Sequence, residues 1–81
     1  MSVPFHADER TGFLQIIGGI NSEQDSRDIR AGLGDLAGVY GVEITGSTVK
    51  VRYVPATVSE QQFYQAIKTA GFRASGFQMA A

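Results

Sequence analysis

The sequence predicts a single α+β domain with the element order β-α-β-β-α-β. Three observations lead there. Two alternating segments flank a Gly46-Ser47 turn, two segments with helical apolar spacing follow capping signatures, and shorter apolar runs stand before and after them. The 81 residues are enough for one domain and not two. A chain of this size buries only about 60% of its unfolded surface. Small domains often compensate with disulfides or a structural metal. This sequence has no cysteine, which excludes disulfides and thiolate metal sites alike. Its core must therefore suffice, or a partner must help.

Residues 1–11 include Pro4 and read as a flexible N-terminal arm. Residues 12–18 read as the first strand, with Leu14 and Ile16 on one face and Phe13, Gln15 and Ile17 on the other. Apolar groups on both faces mark a central strand. The Gly18-Gly19 pair ends it. Ile29, Leu33 and Leu36 then fall at i, i+4 and i+7, one face of a helix. Ser22 is its expected N-cap, with Asp25 three residues on in a capping-box-like pair. Glu23, Asp25 and Asp28 near that end suit the helix dipole. Gly32 and Gly34 weaken the helix, each by up to ~1 kcal/mol relative to alanine, and Gly38 is a plausible stop.

Residues 39–45 alternate, with Tyr40, Val42 and Ile44 expected on one face. Residues 48–54 alternate with Val49, Val51 and Tyr53 inward and Lys50 and Arg52 outward. Pro55 ends this hairpin. Thr57 and Glu60 form a second capping-box signature ahead of Phe63, Ala66, Ile67 and Ala70, and Gly71 closes that helix. Residues 72–78 make a short, weakly apolar last strand, expected at a sheet edge. The domain is placed at residues 12–78, with a tail over 79–81. Right-handed crossovers favour a four-stranded antiparallel sheet with both helices on one face, the ferredoxin-like arrangement.

The net charge of −1, from seven basic and eight acidic side chains, argues against a nucleic-acid partner, which selects a basic patch. No apolar run approaches the ~20 residues needed to span a membrane. The first ten residues lack the basic-then-apolar pattern of a secretory signal, so a cytoplasmic location is expected.

The residues also resemble a particular family. In the heavy-metal-associated (HMA) domain, a strand runs into a Gly-Met-Thr-Cys-x-x-Cys loop. A helix, Leu-x-Gly-Val, a hairpin, a second helix and Ala-Gly-Tyr or Ala-Gly-Phe follow. The counterparts here are Gly19 through Asp25, then Ile29, Leu33, Leu36, Gly38 and Val39, the hairpin from Val42 to Tyr53, and Pro55, Val58, Phe63, Ala66, Ile67 and Ala70-Gly71-Phe72. The similarity covers residues 12–75 and implies the fold and a metal-homeostasis setting: a chaperone, or a domain tied to a metal transporter or reductase. It implies a metal-handling protein as partner, with self-association as the other option. At the decisive positions, however, stand Ser22 and Asp25, next to Asn21. Thiolates hold soft ions such as copper(I), whereas a hydroxyl and a carboxylate are hard ligands. If Gly18 rather than Gly19 is the loop glycine, the loop is one residue longer, and still no cysteine falls in place.

No cofactor is therefore expected. Ser22 and Asp25 read first as helix caps, and second as part of a hard-cation site using oxygen and imidazole ligands, which His6 in the arm would have to complete. Met79 alone is a poor soft-metal site. The similarity gives Phe72 a place shielding the loop; without metal it caps the core. Phe13 and Ile17 are the candidate interaction face. Enzyme chemistry is not expected. Acylphosphatases share this topology but use a loop arginine and a strand asparagine. Here Arg27 lies in the helix start, and Asn21 is the sole asparagine. A single histidine in the arm supports no Ser/His/Asp set.

Overall fold

The computed structural model describes residues 9–79. The elements run β1 (Arg10–Ile16), α1 (Glu23–Gly34), β2 (Val39–Thr45), β3 (Thr48–Tyr53), α2 (Glu60–Thr69) and β4 (Ala74–Met79). The strands form one antiparallel sheet in the order β2-β3-β1-β4. β1 is central and β4 lies at an edge, as the apolar patterns predict.

Burial follows the alternation. Leu14, Ile16, Val49, Val51 and Tyr53 point from the sheet into one cluster with Ile29 and Leu33 of α1 and Phe63 and Ile67 of α2. Both helices thus cover the same sheet face. Val58, just ahead of α2, completes the floor. Tyr53, Phe63 and Phe77 meet with ring centroids 5.1 to 5.7 Å apart, Tyr53 presenting edge-on to both phenylalanines. The helices approach closely at Gly32, where an added Cβ would sit 3.4 Å from the Ala66 carbonyl oxygen.

Four local expectations change. β1 begins at Arg10, two residues early, because pairing of Arg10 with Tyr53 extends it. Tyr40 does not share the face of Val42 and Ile44. A bulge sets Val39 opposite Tyr53 and Gly41 opposite Arg52, so Val39 takes the inward position and Tyr40 is 49% exposed. The second helix is capped by Ser59, not Thr57, and the Ser59 amide donates to Gln62 Oε1 at 2.9 Å. β4 starts at Ala74 and runs to Met79, because Phe72 and Arg73 are used in the turn from α2.

Candidate functional site

The segment between β1 and α1 is where the sequence concentrates its candidate ligands. Gly18 and Gly19 both take positive φ, +84° and +82°, a backbone that glycine adopts without steric cost. The Gly19 amide donates to the Ile16 carbonyl at 3.2 Å, which turns the chain sharply out of the sheet. The Asn21 side-chain amide donates back to the Gly18 carbonyl at 3.4 Å.

Ser22 is extended (φ −149°, ψ 165°) and caps α1. Its Oγ accepts from the Asp25 amide at 3.1 Å, while Asp25 Oδ2 accepts from the Asn21 amide at 3.2 Å. This is a reciprocal cap shifted by one residue, with Asn21 supplying the second amide. Asp25 also places negative charge in the first turn, as does Glu23. One turn on, Gln24 Nε2 donates to Asp28 Oδ1 at 2.9 Å. The structure therefore brings Asn21, Ser22 and Asp25 together and employs all three in closing the helix.

Ser22 Oγ and Asp25 Oδ2 are hard oxygen ligands that already accept hydrogen bonds, while Asn21 acts as a donor. Among the described residues, no three histidine, cysteine, aspartate or glutamate side chains are grouped to hold a metal ion. His6, the imidazole of the hard-cation reading, lies outside the described residues. Met79 is the last residue of β4, not part of a tail, and is 56% exposed. It pairs with Gly12 near the start of β1, whereas the glycine loop follows the end of that strand.

Phe72 is half-buried between α2 and β4, its amide donating to the Ile67 carbonyl at 3.0 Å. It packs against the core and also lines an open groove with Ile17, Tyr64, Lys68, Arg73 and Ala74. Ile17 is 57% exposed and lines this groove, which Phe13 does not. The β1–β4 register shifts between Gln15 and Ile16, but the extra residue is Ser75 on β4, so β1 keeps its alternation; the Ile17 amide, just past the strand, donates to the Arg73 carbonyl at 2.8 Å. Phe13 stays on the open sheet face beside Gln15, Ser75, Gly76 and Gln78. That face is mainly polar: Thr48 Oγ1 donates to Gln15 Oε1, and Lys50 pairs with Glu43 at 3.6 Å.

Three groove residues were not singled out from the sequence: Tyr64, Lys68 and Arg73. The spacing of Tyr64 and Lys68 at i and i+4 on α2 is visible in the sequence; their meeting with Ile17 comes from tertiary packing. The Tyr64 hydroxyl donates to Glu60 Oε2 at 3.0 Å. Burial, then this bond and the Glu60 charge, raise its pKa above the usual 10.0. The groove thus has an apolar floor and two cationic neighbours.

No family model matches the sequence, and no curated protein matches it. Solved structures do match in fold. Oxidized MerP from Ralstonia metallidurans CH34 superposes with a TM-score of 0.76 at 22% identity, over 83% of this chain and 94% of that one. A copper binding domain from HMA7, a P-type ATPase, gives 0.74 at 22% identity, over 89% and 95%. The CopZ metallochaperone gives 0.74 at 20% identity, over 79% and 97%. The fold is that of the HMA domains, and the superpositions cover 79–89% of this chain and 94–97% of theirs.

Proposed function

We propose that this chain is a non-enzymatic HMA-like domain of metal-homeostasis type that works by binding another protein, not by gripping a soft metal. The observation that carries the reading is the Asn21–Ser22–Asp25 cap. The positions that correspond to the family's thiolates hold a hydroxyl and a carboxylate, both turned to the helix end. What remains at this end of the molecule is the groove of Ile17, Tyr64 and Phe72 beside Lys68 and Arg73. An apolar patch with a charged rim is the ordinary form of a docking site. The fold neighbours point to the kind of partner, a metal-handling protein, and its docking segment would carry carboxylates to meet the two cations.

Two measurements test this. In competition with a copper(I) chelator the protein should not compete, and sub-picomolar binding would overturn the reading. Labelled protein titrated with the soluble copper-binding domain of a P-type ATPase should shift the amide resonances of Ile17, Lys68 and Phe72. Perturbation confined to the open sheet face would refute the assignment of the groove. A melting temperature raised by magnesium, manganese or zinc would favour the oxygen and imidazole ligand reading instead.

A further inference from the structure

The two edges of the sheet differ. The outer edge of β2 carries Glu43, ion-paired with Lys50. The six residues of β4, Ala74 to Met79, include no Asp, Glu, Lys, Arg or Pro. Charge and proline are the usual means by which an edge strand avoids pairing with another chain. Among the described residues β4 pairs only with β1, so the amides and carbonyls of its other side meet no strand. Its bulge lies at the start, opposite Gln15 and Ile16, and leaves Gly76 to Met79 in regular register.

We infer that β4 is a self-pairing edge: a second copy of this chain adds its own β4 antiparallel, and the two sheets join into one of eight strands. The inference goes beyond the proposed function and involves neither the groove nor the glycine loop. The occupant follows from charge. In a two-fold antiparallel pair the residue on the axis meets its own copy and the residues flanking it meet each other, so a charge on the axis, or like charges either side of it, would face like charge. A heterologous partner could exploit charge on this strand; β4 offers none, which leaves self-pairing unopposed in every register. A two-fold at Phe77 sets Gly76 opposite Gln78, and one at Gly76 sets that residue opposite its own copy. Both arrangements keep Phe77 on the helix side and Gln78 on the open side, continuing the layers of each monomer.

The test is sedimentation of the full chain up to roughly 1 mM, which still detects weak association. The expected result is a monomer–dimer equilibrium. Gly76→Lys with Gln78→Lys should raise the dimer dissociation constant at least ~10-fold, because lysine then opposes lysine in either register. A Cβ at Gly76 meets nothing within 4 Å and Gln78 is exposed, so the monomer should keep its fold. Mixing this variant with Gly76→Glu, Gln78→Glu should restore a dimer containing one of each. Should either variant unfold, hydrogen exchange of the unaltered protein replaces it: alternate β4 amides gain protection as concentration rises. A protein that stays monomeric at roughly 1 mM, a dimer indifferent to both variants, or β4 amides indifferent to concentration would each overturn the inference.

Discussion

The tip of the Phe77 ring covers Gly12, occupying the space a side chain at that position would fill. Gly12 is buried in the central strand, and Phe77 stands two register positions along, opposite Leu14. Tyr53 and Phe63 hold the ring from the other sides. Gly12→Ala should therefore lower stability by about 1–3 kcal/mol through overpacking, since the ring has little room to retreat. Denaturant melts measure this. The double variant with Phe77→Leu should recover part of the loss, because it removes the obstructing ring.

Ser22→Ala should cost about 0.5–2 kcal/mol by leaving the Asp25 amide without its cap. Chemical denaturation is again the measurement. Asp25→Asn keeps an acceptor for the Asn21 amide but removes the charge from the first turn, so it should cost less. If Ser22→Ala leaves stability unchanged, the cap is not what holds this residue type here.

Ser22→Cys with Asp25→Cys should install copper(I) binding. The two positions sit at the exposed start of α1, three residues apart, and a helix N-terminus lowers thiol pKa. Stability without metal should fall by roughly 1 kcal/mol as the cap is lost, and bound metal should return it through linkage. Asn21→Cys with Gln24→Cys is the control for the one-residue alternative in loop register. Chelator competition reads both. Failure of both pairs would confine the HMA likeness to the scaffold.

Stability should decline at alkaline pH. Tyr53 and Tyr64 both have pKa values raised above 10.0, in each case chiefly by burial, so the folded state keeps protons that the unfolded chain has released. With more protons bound when folded, their contribution is complete below pH 10 and is lost as pH rises beyond it. Tyr64→Phe should flatten this decline partly, leaving the share due to Tyr53. Melts between neutral pH and the alkaline limit provide the check, and a flat profile would contradict it.

Much of this was legible in the residues themselves. Val49, Val51 and Tyr53 are buried as strict alternation requires, and Ser22 caps as its spacing from Asp25 implies. The errors fall where a single residue is inserted or where two local signals compete. Alternation puts Tyr40 inward, but it is the extra residue of a bulge in β2, and a bulge has no reliable mark in one strand's sequence. Thr57 and Ser59 both begin a plausible capping box. Burial of Val58 and the bond from the Thr57 amide to the Val54 carbonyl hold Thr57 in a turn, so Ser59 takes the cap. The groove was missed because it joins the end of β1 to α2 and Arg73, a meeting that only tertiary packing creates.

The pairing of Gly12 with Met79 and Leu14 with Phe77 brings the first and last strands of the domain side by side. On the ribosome, β1 leaves the exit tunnel early but cannot be flanked on both sides until the final strand has followed. The hairpin of β2 and β3 is contiguous and can close while synthesis continues, giving β1 its first neighbour. Until β4 arrives, the central strand is itself an open edge with Leu14 and Ile16 incompletely covered, the state in which a nascent chain is most exposed to wrong partners. Loss of even the last few strand residues would make that transient state permanent.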